Sequence, residues 1–204
     1  MTTPFNRSRG IVQREITLTC NDVSMDPPSH IIVACSKKRD FVTIVPAHAI
    51  VLSAYCANLP PLPVSRPSTP TKPGETITIP VFVFHLPNPT LFPLLLAYLY
   101  TKRADLLRNI LLPAHATSST VPGLIQTHAT SMSLKELFTA ASKVKALWDN
   151  TCVLGIFDDP LFQVLEFAWD ILVRALERKA MQSGPSRSVS TSSTQAEDAS
   201  TVLE

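Results

Sequence analysis

Prolines set the strongest limit on how this chain folds, because they break its apolar residues into short segments. The sequence has 18 prolines among 204 residues, and Pro60 to Gly74 is the densest run. Proline has a fixed φ and no amide N–H, so such a run favours extended, polyproline-like backbone over a helix or a central strand. The sequence therefore predicts a compact fold carrying long loops at residues 60–75 and 113–131.

The remaining composition predicts one folded domain with little electrostatic bias. Apolar residues make up 45% of the chain, charged residues 17%, and the formal net charge is +2. A near-neutral balance argues against a dedicated nucleic-acid binder. The longest apolar stretch, Pro93 to Tyr100, is far shorter than the roughly 20 residues of a membrane helix. Because the N-terminus lacks the apolar core of a secretory signal, we expect an intracellular protein in the nucleus or the cytoplasm, with no membrane contact.

Short β-branched runs predict a small mixed sheet of three strands. Ile31 to Cys35 and Phe41 to Val45 flank a charged turn, which is typical of a hairpin. Thr76 to Phe84 is a third strand by its β-branched and aromatic content. Ile11 to Cys20 alternates between apolar and polar residues and predicts a peripheral strand within an N-terminal arm, residues 1–30.

Helical periodicity predicts about five helices around this sheet, which makes the fold class α+β. The clearest helix begins at Ser133, which with Glu136 forms a capping-box sequence. Residues 181–204 are rich in serine and threonine and have almost no large apolar side chain, so we expect a disordered tail. The main predicted helices span residues 47–59, 89–102, 133–148 and 158–179, and two shorter helical segments span residues 105–112 and 153–157.

The sequence contains no arrangement of residues that is typical of an enzyme or a cofactor site. Its five glycines stand apart, so neither a P-loop nor a dinucleotide-binding fingerprint is present. The cysteines form no CxxC pair, so spacing indicates neither a zinc site nor a disulfide framework. Asp158 and Asp159 are better explained as a helix start than as acid–base catalysts. We expect no catalytic, metal-binding or cofactor-binding residue. The alternative is a cryptic thiol enzyme in which His48 activates Cys56 or Cys152.

The order of these segments resembles the BTB/POZ domain family, over about residues 31–180. Pro46 to Ala54 resembles the family segment in which a histidine opens the central helix. Leu91 to Thr101 is similar to its Phe-x-x-aliphatic-aliphatic-x-x-aliphatic-Tyr-Thr helix, and Leu134 to Val153 to its next helical pair. The residues that carry the resemblance are His48, Leu52, Phe92, Tyr98, Tyr100 and Ala141.

Two departures from the BTB/POZ pattern lead to a narrower resemblance. Thr101-Lys102-Arg103 replaces the usual Tyr-Thr-Gly turn, and the proline-rich loop stands where other members have a short Ser-x-x-Phe segment. This loop, together with the string from Phe92 to Arg103, resembles the clampless-type proteins of mushroom-forming fungi. That resemblance implies a role in the regulation of sexual development.

These observations lead us to expect a non-enzymatic protein–protein interaction domain. It would pair with itself as a homodimer or bind a regulatory partner, and the alternative within the same fold is a substrate adaptor for a cullin-type ubiquitin ligase. Direct binding of nucleic acid is not expected, because no aromatic residues are interleaved with the basic ones. The basic residues either bind an acidic partner or are solvated turn charges; they are Lys37, Lys38, Arg39, Lys102 and Arg103.

Overall fold

The computed structural model describes residues 14–24, 26–37, 40–66, 68–112 and 120–183, and there the chain forms a sheet backed by helices. No helix in these ranges is both long and apolar enough to cross a bilayer. The strands are β1 (Glu15–Cys20), β2 (His30–Cys35), β3 (Val42–Ala47) and β4 (Glu75–His85). The helices are α1 (Ala49–Tyr55), α2 (Phe92–Thr101), α3 (Ala104–Leu111), α4 (Val121–Ser131), α5 (Leu134–Leu154) and α6 (Asp159–Ser183), and a 3-10 turn (Pro89–Leu91) precedes α2.

The sheet has four strands in the order β1-β4-β2-β3, which corrects the expectation of three. β2 and β3 form the predicted antiparallel hairpin, and β4 runs parallel to β2. β1 pairs antiparallel with the first half of β4, from Glu75 to Pro80, whereas β2 pairs with the second half, from Val81 to His85. β4 is therefore long enough to hold two partners, and this brings the strand predicted to be peripheral into the sheet.

The two faces of the sheet belong to two separate apolar clusters, because successive strand residues point to opposite faces. Ile32, Ala34 and Phe84 pack against the helices in the larger cluster. On the other face, Ile31 and Val33 of β2 meet the apolar residues of β1 and of the first half of β4. All six residues of β2 are buried, so this strand lies at the centre of the fold.

Helices α5 and α6 form the helical layer, and α5 is longer than the sequence predicts. The Ser133 capping box is confirmed, with the Glu136 N–H donating to Ser133 Oγ and the Ser133 N–H donating to Glu136 Oε2. The prediction of a separate helix over residues 153–157 is wrong. Asn150, just before that segment, is fully buried, and its side chain bonds the backbone of Asn88.

Part of the loop predicted at residues 113–131 is also wrong, because Val121–Ser131 is helical. The Thr120 side chain accepts a hydrogen bond from the Gly123 N–H and caps this helix. Residues 113–119 lie outside the described ranges. Helix α1 is shorter at both ends than the predicted 47–59, and α6 continues to Ser183, so the first residues of the predicted tail are helical. Residues 184–204 lie outside the described ranges.

The proline-rich loop forms no helix or strand in its described residues, 60–66 and 68–74, as predicted. Two hydrogen bonds attach it to the start of β2. Ser65 Oγ donates to the Ser29 carbonyl oxygen at 2.5 Å, and His30 Nε2 lies 2.9 Å from the Pro63 carbonyl oxygen. Because an imidazole nitrogen bonding a carbonyl must carry the proton, His30 donates this second bond.

Candidate interaction surface

Four of the six residues that carry the family resemblance are core residues. Leu52 and Phe92 have no exposed surface, and Tyr98 and Ala141 are also buried. Phe92 lies edge-to-face against Phe84, with the ring centroids 5.4 Å apart, an arrangement that aromatic pairs prefer. These four side chains therefore hold the sheet against the helices and are not available to a partner.

The other two, His48 and Tyr100, form a pair that joins the start of α1 to α2. The His48 backbone N–H donates to the Tyr100 hydroxyl oxygen at 2.8 Å, and Nδ1 of His48 lies 2.7 Å from the same oxygen. Because the Asp26 carbonyl oxygen can only accept, Nε2 of His48, 3.4 Å away, carries the proton of the neutral ring. Nδ1 then accepts the Tyr100 hydroxyl proton. Both ring nitrogens of His48 are thus engaged within the chain.

In the part of the chain that the structure describes, no hydrogen bond joins His48 to a cysteine. Cys56 is 4% exposed, and burial raises the pKa of its thiol to about 11 despite the opposing charge of Lys102. A thiol with this pKa is protonated at neutral pH and is a poor nucleophile. Cys35 is buried and lies 3.2 Å from His85 Nδ1, a contact that the sequence spacing does not reveal. Within the described ranges, no group of three or more His, Cys, Asp or Glu side chains has a metal-binding arrangement.

Lys102 occupies the turn where the BTB/POZ pattern has glycine, and its backbone is left-handed, with φ of 53°. It is the only non-glycine among the described residues with a positive φ, and this conformation costs an L-residue roughly 1–2 kcal/mol. Its N–H donates to the Tyr98 carbonyl oxygen at 2.7 Å and ends α2. Its Nζ lies 2.6 Å from Asp158 Oδ2 and 3.4 Å from the centre of the Tyr55 ring.

Asp158 completes this arrangement, which we call the Lys102 cluster: Tyr55, Tyr98, Lys102 and Asp158. Asp158 Oδ1 accepts the Tyr98 hydroxyl at 2.7 Å and the Leu161 N–H at 3.0 Å, so the same carboxylate caps α6. Burial acts to raise the pKa of Asp158, but the bonds from Lys102, Tyr98 and Leu161 outweigh it, and the pKa is lowered. Burial and the bond to Asp158 raise the pKa of Tyr98.

Three of the five predicted basic residues are described, and two of these three have an acidic partner. Lys102 is matched by Asp158, and Arg103 forms two hydrogen bonds with the exposed Asp105 at 2.8 and 2.6 Å. Lys37 is exposed on the β2–β3 turn and has no ion pair with any described residue. Lys38 and Arg39 lie outside the described residues. A role for these residues in partner binding stays a prediction, and Lys37 is the described cation that best suits it.

An exposed apolar surface lies along β3, an outer strand of the sheet. Phe41 is 60% exposed, Val42 44% and Ile44 57%. The bond from the Ser36 N–H to the Phe41 carbonyl oxygen fixes which β3 backbone groups face β2. Because these directions alternate in an antiparallel pair, the N–H and C=O groups of Val42, Ile44 and Pro46 face outward. We call Phe41 and these three residues the β3 edge.

The β3 edge has no strand partner among the described residues. Its unpaired backbone groups, together with exposed apolar side chains, are the features that let a second chain add a strand to a sheet. The sequence located this strand but not its place in the sheet, because strand order depends on tertiary pairing. The local signal that could have shown β3 to be an outer strand is Pro46, because a proline within a strand is confined mainly to edge strands.

Comparison with known families gives two matches that together span most of the chain. The N-terminal domain of clampless protein 1 matches residues 2–87, and its C-terminal domain matches residues 92–202. The boundary between the two matches coincides with the 3-10 turn at Pro89–Leu91, where the sheet ends and α2 begins. No curated protein matches the sequence. No solved structure matches it either.

Proposed function

The chain belongs to the clampless protein 1 family, and from this premise we propose that it is a non-enzymatic protein–protein interaction domain. It pairs with itself or binds a regulatory partner, inside the cell and in the control of fungal sexual development. The family match assigns no molecular activity, so the proposal depends on the molecule's own surface. The observation that carries it is the β3 edge, where exposed apolar side chains and unpaired backbone groups coincide.

The energetics favour a protein partner at this edge. Burying a large apolar side chain completely contributes about 1.5–3 kcal/mol. Phe41, Val42 and Ile44 are each about half exposed, so roughly half of that gain remains available at each residue. Outward N–H and C=O groups add directional hydrogen bonds that a polypeptide satisfies well. A second chain therefore gains both apolar burial and backbone bonding at one place.

We also propose that the chain has a BTB/POZ-like architecture. Its support is the connection order: the β2–β3 hairpin leads into α1, β4 returns parallel to β2, and helices follow. This is the order on which the sequence resemblance was based. The engagement of His48 and the burial of Cys56 favour the interaction domain over the thiol enzyme.

The test is the size of the full chain isolated from its native cell. The chain weighs 22.3 kDa, and a tagged copy at native expression level is chemically cross-linked inside the cell and then sized by denaturing gel electrophoresis. We expect a mass well above that of one copy, made up of further copies or of a second protein. A mass of one copy across repeated preparations contradicts the proposal.

A further inference from the structure

The β3 edge offers unequal numbers of hydrogen-bond donors and acceptors. Val42 and Ile44 each present an N–H and a C=O outward, whereas Pro46 presents only its C=O. An incoming strand is therefore met by two donors and three acceptors. This asymmetry restricts which strand fits and in which register.

We propose that a second copy of this chain pairs with the β3 edge, antiparallel and about a two-fold axis between the two Ile44 residues. The proposal rests on the proposed function and names its partner. In this register each Ile44 N–H donates to the Ile44 carbonyl of the other copy. Each Val42 N–H donates to the Pro46 carbonyl of the other copy. Four hydrogen bonds form, and the Val42 carbonyl is the one outward group left without a donor.

The side chains along this edge are complementary to themselves in the same register. Val42, Ile44 and Pro46 lie on the face that the helices do not cover, because successive strand residues alternate between faces. The two-fold axis places Ile44 opposite Ile44, and Val42 opposite Pro46. Directly opposed side chains lie close enough to contact each other across an antiparallel pair. Every opposed pair on this face is apolar.

The charges at the two ends of β3 favour the antiparallel arrangement. Lys37 lies on the turn that leads into β3. At the other end, the Asp26 backbone contacts His48, and Asp26 is exposed with no ion pair among the described residues. An antiparallel pair brings Lys37 of one copy toward Asp26 of the other. A parallel pair would instead bring the two basic turns together.

The expected dimer is weak, because a single pair of strands buries little surface. Standard interfaces bury roughly 1,200–2,000 Å², and two six-residue strands fall below this range. We therefore expect a Kd on the order of 10–100 µM, in the range of weak, transient contacts. Pro46 contributes to this weakness, since its missing N–H removes one bond from each side of the pair.

The test measures the mass of the purified full chain by light scattering between about 1 and 500 µM. We expect a monomer–dimer transition in this range. Ile44→Asp places two carboxylates on the axis and should weaken the dimer at least tenfold. Pro46→Ala restores the donor opposite the Val42 carbonyl and should strengthen the dimer at least fivefold. Thr19→Asp, on exposed β1 at the other side of the sheet, is the matched control and should change nothing.

Each result separates this inference from the proposed function. A monomer at all concentrations overturns the β3 pairing, while the proposed function is still judged by the mass found in the native cell. A dimer that survives Ile44→Asp also overturns the β3 pairing, but leaves self-association in place. A dimer that Pro46→Ala weakens contradicts the register. Circular dichroism of each variant establishes that it is folded.

Discussion

Replacing Asp158 with alanine should destabilise the protein more than removing any of the other paired charged side chains. The carboxylate accepts bonds from Lys102 and Tyr98 and caps α6 through the Leu161 N–H. Loss of an N-cap costs about 1 kcal/mol, and leaving the buried Tyr98 hydroxyl without its partner costs about 1–3 kcal/mol. Lys102 is one-third exposed, so its pairing adds about 1 kcal/mol or less. The expected loss is about 2–5 kcal/mol.

The assay is urea unfolding of the full chain followed by far-UV circular dichroism. Asp158→Asn keeps an acceptor for the cap and for Tyr98 but removes the charge, so we expect a loss of about 1–2 kcal/mol. Asp105→Ala is the matched control, because it breaks the fully exposed pair with Arg103 and should have little measurable effect. A decrease of less than about 1 kcal/mol in the free energy of unfolding of Asp158→Ala, no more than the N-cap alone contributes, would contradict these roles of the carboxylate.

Three further predictions concern the turns, the pH dependence and the thiols. Gly155→Ala should lower the free energy of unfolding in urea by about 2–4 kcal/mol, because φ is +64° and the new Cβ lies 2.7 Å from an asparagine side chain. Gly74→Ala, where φ is +91° but the new Cβ meets open space, should lower it by about 1–2 kcal/mol. The lowered pKa of Asp158 means that its contribution to stability is complete above its ordinary value of 3.8 and disappears as the pH falls below it. As the pH falls, Asp158→Asn should therefore lose less unfolding free energy than the unchanged protein. An equal loss in both proteins would contradict the stabilising role of the Asp158 charge. A maleimide probe at pH 7 should label the exposed Cys152 at least a hundredfold faster than Cys56, because burial and a raised pKa protect the Cys56 thiol. Similar labelling rates would show that Cys56 is reactive and would support the thiol-enzyme alternative.

The sequence predicts the elements whose determinants lie close together along the chain. The β2–β3 hairpin follows from two β-branched runs around a charged turn, and α5 follows from the Ser133–Glu136 capping box. The stripe of buried leucines on α6 has the 3.6-residue period of a helix that packs on one side. These features need no knowledge of the tertiary structure.

The sequence does not predict features that depend on distant partners. The order of strands in the sheet is one of these, since β1 pairs with β4 about 60 residues away. Helix α4 is missed because its threonines, glycine and histidine hide the apolar period that its neighbours reveal. The Lys102 cluster is missed because Asp158 lies 56 residues from Lys102, and an aspartate before a proline-containing helix start is explained locally as a cap.

Contact between the β3 edge and another polypeptide in the cell is the claim that site-specific photo-cross-linking examines. A benzophenone side chain replaces Ile44 in the full chain within its native cell, and Thr19 on β1 is the control position. We predict an adduct at position 44 with a second polypeptide, whether another copy or a different protein, and a much weaker one at position 19. Equal yields at both positions, or no adduct at position 44, would contradict the claim.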